Sequence, residues 1–127
     1  MSVLVLVVDD EPDVEALFRQ QFRRDLRAQR FVMEFAISAA DALTRVAGTI
    51  EQTLILILSD INMPGMDGLE LLTHIKRRFP DLPVMMVTAY GDDERRRRAA
   101  EFGAAEFITK PVDFEHLKAQ LRQLPPE

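Results

Sequence analysis

Val3-Leu-Val-Leu-Val-Val-Asp-Asp10 is the stretch that decides the fold. Six apolar residues, most of them β-branched, run without alternation into two carboxylates. An unbroken apolar run of this kind reads as a strand buried on both faces, the habit of parallel sheets covered by helices. It is far too short to span a bilayer. Beyond the carboxylates the period changes: Val14, Phe18, Phe22 and Leu26 recur every four residues with Leu17 beside them, which predicts an amphipathic helix.

The same alternation continues outward along the chain. Phe31 to Ile37 reads as a second strand, and Ser38 is placed to cap a short helix carrying Ala42, Leu43 and Val46 that stops near Gly48. Leu54-Ile-Leu-Ile-Leu58 is the most apolar strand, followed by a loop from Ser59 to Gly68. A third helix presents Leu72, Ile75 and Phe79 and ends at Pro80. Val84 to Val87 gives a fourth strand and Ala105 to Ile108 a weaker fifth. Phe114, Leu117, Leu121 and Leu124 mark the last helix. Five strands alternating with five helices point to βαβ units and one α/β domain with a doubly wound parallel sheet.

Bulk properties fit that reading. The chain has 127 residues, 47% hydrophobic and 29% charged, with 16 Lys+Arg against 21 Asp+Glu and a net charge of −5. This length suits one core, expected over residues 1–124, with 125–127 as a tail or the start of a truncated linker. The absence of cysteine excludes disulfides, thiolate zinc sites and a cysteine nucleophile. No basic stretch and cleavage site open the chain, so a signal peptide is not expected, and the cytoplasm is the expected compartment. The acidic balance argues against a general nucleic-acid binder.

The polar residues fall at the strand ends. Asp9 and Asp10 follow strand 1, Asp60 follows strand 3, Thr88 closes strand 4 and Lys110 lies just past strand 5. Open parallel sheets bind ligands outside the carboxyl ends of their strands, where the strand order reverses. For the order 2-1-3-4-5 that point lies between strands 1 and 3, so the three carboxylates should converge. Crowded carboxylates repel one another unless a cation joins them, and hard oxygen donors suit Mg²⁺. A lysine ammonium and a threonine hydroxyl on the opposite rim suit a phosphoryl group, and a carboxylate nucleophile would give an aspartyl phosphate. Each residue alone has a plainer reading as turn, cap or surface chemistry. All the strand ends together do not.

At these residues the chain resembles the receiver domain of two-component response regulators. The matching elements are Val7-Val-Asp-Asp-Glu-Pro12, Ser59-Asp-Ile-Asn-Met-Pro-Gly-Met-Asp-Gly68, Val87-Thr-Ala89 and Phe107-Ile-Thr-Lys-Pro111. The resemblance implies a flavodoxin-like (βα)5 fold. It implies that Asp60 accepts a phosphoryl group from a histidine kinase or histidine phosphotransfer protein. Mg²⁺ (or Mn²⁺) would be held by Asp10 directly, Asp9 through water, Asp60, and the backbone carbonyl of Asn62. Lys110 would pair with the phosphoryl oxygens. Thr88 and Phe107 would act as the switch that alters the face formed by helix 4, strand 5 and helix 5, where a downstream effector or output domain docks. The Lys110-Pro111 bond resembles the family's cis peptide. Such a protein is a phosphoacceptor regulator rather than an enzyme acting on a separate substrate, with no membrane partner.

Some positions vary within that resemblance. Phe107 stands where tyrosine is frequent, so the switch aromatic has no hydroxyl. Asn62 and Tyr90 occupy positions that modulate dephosphorylation; Tyr90 either shields the acyl phosphate or packs at an edge on helix 4. Arg95-Arg-Arg-Arg98 reads either as a solvated helix paired internally (Asp92/Arg96, Asp93/Arg97, Glu94/Arg98) or as a basic patch on the signalling face. His74 and His116 read as surface residues. Three rivals are weaker. A docking module that signals without phosphorylation would not need the full set of site residues. A small aspartyl-phosphate phosphatase would need an acid two residues after its nucleophile, and a cap. A flavin mononucleotide carrier would need a phosphate loop where Asp9, Asp10 and Glu11 stand. With no effector domain after it, the chain is expected to be either a stand-alone receiver or a fragment of a longer regulator.

Overall fold

The computed structural model describes residues 3–30, 32–48, 53–61, 65–88, 93–110 and 112–122. Five strands, β1 (Val3–Val8), β2 (Val32–Ala36), β3 (Thr53–Asp60), β4 (Val84–Thr88) and β5 (Glu106–Thr109), alternate with helices. All pair in parallel in the order β2-β1-β3-β4-β5, as the sequence predicts. The helices are α1 (Asp13–Gln21), α2 (Arg23–Arg27), α3 (Ala39–Gly48), α4 (Gly68–Arg78), α5 (Asp93–Glu101) and α6 (Phe114–Arg122). The predicted fourth and fifth helices are therefore α5 and α6.

Strand side chains alternate between two apolar clusters, one on each face of the sheet. Leu6, Val8, Ile57, Val84 and Met86 pack with residues of α3, α4 and α5. Val5, Val7, Leu56, Leu58 and Met85 pack with residues of α1 and α6. This double burial explains why the strands carry no polar alternation. Phenylalanines tie the second cluster together. Phe18 stacks on Phe22 with ring centroids 6.0 Å apart and meets Phe114 of α6 edge-on at 5.2 Å.

The helix predicted from Val14 to Leu26 is divided. Phe22 leaves helical geometry at φ −103°, ψ 17°. The hydrogen bonds run on through it, with the Phe22 N–H donating to Phe18 O and the Leu26 N–H to Phe22 O, both at 2.9 Å. The four-residue apolar spacing thus survives the break. Leu17 lies off that seam and is 44% exposed. After α2 the chain turns through Gln29 at φ 57°. There the Arg30 guanidinium reaches the buried Asp25 carboxylate at 2.6 Å, a pairing that periodicity does not reveal.

Strand limits also differ in ways that matter. β2 is shorter than Phe31–Ile37: Phe31 lies outside the described residues, and Ile37 is beyond the strand and exposed. β3 runs through Ser59 to Asp60, so Asp60 is the strand's last residue, in register with Val87, and not part of a loop. β5 is Glu106–Thr109 rather than Ala105–Ile108. The described part of α6 ends at Arg122, so Leu124 and the predicted tail lie outside the described residues. Ser38 caps α3 as expected, its Oγ accepting the Asp41 N–H at 3.0 Å.

Phe22 is fully buried at the junction of α1, α2 and α6. Phe22→Ala should cost about 3–5 kcal/mol of folding stability, read as a lower denaturant midpoint with little change in slope.

Candidate functional site

Four residues remote in sequence meet at the carboxyl edge of the sheet. β1 delivers Asp9 and Asp10, β3 delivers Asp60, and the turn after β5 delivers Lys110. The backbone continues the pairing pattern past the strands, with the Asp9 N–H donating to Ala36 O at 3.0 Å and the Ile61 N–H to Val87 O at 3.2 Å. Strand register, rather than loop conformation, therefore sets where these side chains start.

Carboxylate oxygens of Asp9, Asp10 and Asp60 lie within 4.8 Å of one another. Lys110 Nζ donates to Asp60 Oδ2 at 3.3 Å and stands 3.9 Å from Asp9 Oδ2. Asp60 is buried, Asp9 half-buried and Asp10 exposed. Burial raises the Asp9 pKa. The N–H of Glu11, which reaches Asp9 Oδ1 at 2.9 Å, opposes that rise, and the neighbouring Asp60 charge adds to it. For Lys110, burial works to lower the pKa, but the charges of Asp60 and Asp9 and the hydrogen bond to Asp60 outweigh it, and the net shift is upward.

Among the described residues, three carboxylates against one ammonium leave an excess of negative charge in a partly dehydrated place. The donors are all oxygen, with no sulfur or imidazole, which is the set a hard divalent cation takes. Asp9, Asp10 and Asp60 are the described residues that would hold Mg²⁺. Asn62, whose backbone carbonyl belongs to the predicted ligand set, lies outside the described residues, as do Tyr90 and the Lys110-Pro111 bond. Thr88 ends β4 opposite Thr109, and Phe107 stands on β5 opposite Met86. Beside the acids lies a cavity of about 260 Å³, walled by Phe18, Leu58, Val87 and Phe114 among others, with Asp9, Glu11, Asp60 and Lys110 as polar lining. This apolar wall strengthens electrostatic interactions at the site.

Two positioning residues carry no role in the sequence reading. Asp67 caps α4, accepting the Glu70 N–H at 3.0 Å, and the Asp-x-x-Glu spacing was the available signal. Gly68 lets the first turn of α4 lie against the end of β3, its N–H donating to Ile61 O at 2.8 Å. A Cβ there would collide with the Asp60 carbonyl oxygen and sit 2.7 Å from Ile61 Cα. Two of the predicted pairings along α5, Asp93/Arg97 and Glu94/Arg98, are not made. Among the described residues no ion pair within 4.0 Å involves Arg97 or Arg98, consistent with how little exposed pairs gain against solvent. Asp92, the partner predicted for Arg96, lies outside the described residues. His74 and His116 are half-buried and exposed, and neither joins the acidic cluster.

Residues 5–122 match the response regulator receiver domain family, and the chain belongs to it. Among curated relatives, it is 38% identical over 116 residues to the response regulator PilR of Pseudomonas aeruginosa, covering 89% of this chain and 24% of that one. It is 34% identical over 124 residues to the response regulator MprA of Mycobacterium tuberculosis, covering 98% of this chain and 51% of that one. The chain thus spans about a quarter of the length of one of these relatives and about half of the other. Among solved structures, the receiver domain of NtrX from Brucella abortus superposes with a TM-score of 0.78 at 32% identity, covering 94% of this chain and 95% of that chain. The signal receiver domain of an HD domain-containing protein from Pseudomonas fluorescens gives 0.84 at 26%, covering 98% and 94%. Among the described residues no helix is long and apolar enough to cross a membrane.

The raised Asp9 pKa has a definite sign. The folded state holds that proton more tightly than the unfolded chain, so Asp9 lowers stability as pH rises from 3.8 through the folded value. Without divalent cation at neutral pH, Asp9→Asn should therefore raise Tm. Mg²⁺ at a hundred times its Kd should stabilise the wild type by about 2.7 kcal/mol and the variant by much less. Thermal unfolding with chelator and with Mg²⁺ checks both.

Proposed function

We propose that this chain is a phosphorylation-dependent switch in two-component signalling, with Asp60 as the phosphoryl acceptor. One observation carries the reading: Lys110 Nζ meets the buried Asp60 carboxylate at 3.3 Å across fifty residues of sequence, inside a cluster of two further acids. The donor is a phosphohistidine of a histidine kinase or phosphotransfer protein. An Asp60 oxygen attacks phosphorus, the phosphorus–nitrogen bond breaks, and its electron pair leaves with the imidazole, which is reprotonated from solvent. The product is an acyl phosphate on Asp60.

The remaining roles follow from charge and placement. Burial keeps Asp60 from full hydration and leaves its oxygen available to the phosphorus. Lys110 holds that oxygen beforehand and then pairs with the phosphoryl oxygens. Its raised pKa keeps it charged throughout the neutral range. Asp10, Asp60 and the Asn62 carbonyl, with Asp9 through water, would hold Mg²⁺, which would supply charge neutralisation as anionic donor and anionic acceptor approach. Thr88 and Phe107 pass the change to the face made by α5, β5 and α6, where an effector or output domain docks. Tyr90 and Asn62 set how readily water removes the phosphoryl group. Action in the cytoplasm, where kinases phosphorylate their regulators, belongs to the same proposal.

Intact mass after incubation with acetyl phosphate and Mg²⁺ tests the reading. The wild type should gain the mass of one phosphoryl group, lost on mild alkali as expected of an acyl phosphate. Asp60→Asn should gain none, chelation should abolish the gain, and Lys110→Ala should reduce it at least tenfold. A wild type that stays unmodified with a kinase or phosphotransfer donor as well would refute the proposal.

A further inference from the structure

The Arg96 guanidinium lies over the Phe107 ring, its central carbon 5.3 Å from the centroid. That distance is within the range of cation–π attraction, and a planar guanidinium stacks on a ring in a way that an ammonium does not. The ring is half-buried on β5 and packs against the cluster that contains Met86 and Ala99. Arg96 comes from a different element, α5, whose one buried residue among those described is Ala99. Contact between Arg96 and Phe107 therefore supplies part of what joins α5 to the sheet. It breaks when either the ring or the helix moves.

We infer that Arg96 is a positioning residue for the acceptor reaction, holding Phe107 in its present place through the guanidinium–ring contact and so restraining the switch. The inference rests on the reading of Asp60 as acceptor and Phe107 as a moving part. Its sign follows from the site. Lys110 Nζ bonds Asp60 Oδ2 directly at 3.3 Å, whereas the proposed product has it on phosphoryl oxygens, so the site must leave this arrangement when the acceptor is modified. A contact that favours this arrangement slows the change that phosphorylation requires. Arginine at this place is then neither mere solvation of a polar helix nor simply part of a basic patch.

Phosphorylation rates with acetyl phosphate and Mg²⁺, followed by intact mass, separate the outcomes. Arg96→Gln should phosphorylate about two- to fivefold faster than wild type, the factor expected for an exposed cation–π contact. Arg96→Lys should lie between them. Arg97→Gln removes the same charge from the same helix and should leave the rate unchanged, which controls for attraction of the anionic donor. In a Phe107→Leu background, Arg96→Gln should have no further effect. Thermal unfolding confirms that each variant is folded. An unchanged or slower Arg96→Gln overturns the inference while leaving Asp60 as acceptor. An equal acceleration in Arg97→Gln, or one that persists without the Phe107 ring, overturns it likewise. A wild type that accepts no phosphoryl group from any donor removes the acceptor reading and this inference together.

Discussion

The contact between Lys110 and Asp60 is the interaction on which the arrangement depends, because it is where the fold concentrates charge that it could otherwise leave in water. A buried carboxylate flanked by two others is costly unless cations offset it. Among the described residues one ammonium, that of Lys110, bonds Asp60 at 3.3 Å and reaches Asp9 at 3.9 Å. That is too little to neutralise three acids. On the proposed function, a site left this unbalanced would take a divalent cation and, with the cation present, a phosphoryl group as well. Structural economy would have replaced the cluster with apolar residues. Its presence at the sheet edge is best explained by what it can bind.

Everything beneath the site serves to hold these groups at fixed places. Parallel pairing brings the ends of β1, β3 and β4 to one edge without help from loops, and β5 leads directly to Lys110. Gly68 is the close tolerance in this scheme. The first turn of α4 lies so near the Asp60–Ile61 backbone that no side chain fits between them. Burial of Leu69, Leu71, Leu72 and Ile75 then presses α4 onto the sheet. A site residue that is the last member of a central strand inherits the stiffness of that strand, which would suit the proposed acceptor, whose oxygen must meet phosphorus in line.

Much of this was legible in the sequence because the governing signals are local or periodic. Unbroken apolar runs gave the parallel sheet, and carboxylates directly after Val8 and Leu58-Ser59 gave the acids at its edge. What stayed hidden was set by geometry between elements. The break at Phe22 comes without proline or glycine to announce it, in a residue buried among Phe18, Phe114 and Lys118. The Asp25–Arg30 pair closes around a left-handed Gln29 that no spacing rule foretells. Gly68 looked like turn chemistry, since only the approach of α4 to β3 shows why a Cβ is forbidden. The Asp93/Arg97 and Glu94/Arg98 pairings were expected from spacing alone, but spacing sets proximity, not whether exposed side chains prefer each other to water.

The contrast between α4 and α5 is where structure and signalling meet. α4 buries five residues and is capped by Asp67, while α5 buries Ala99 and carries four consecutive arginines. Opening free energy follows buried apolar contact, so the two helices flanking the same cluster differ in how much energy their displacement takes. An event at Asp60 delivers only a few kcal/mol of new interaction, mostly as hydrogen bonds to a new anion. Such an amount is small beside the burial that fixes α4 and comparable with what fixes α5. On the proposed function, the weakly buried helix is therefore the element that a charge change at Asp60 would move, and β5, which pairs with β4 and leads directly to Lys110, carries the Phe107 ring against it. Had α5 carried leucines where it carries arginines, the proposed acceptor chemistry could remain, but α5 would be held as firmly as α4 and its proposed consequence would be confined to the site.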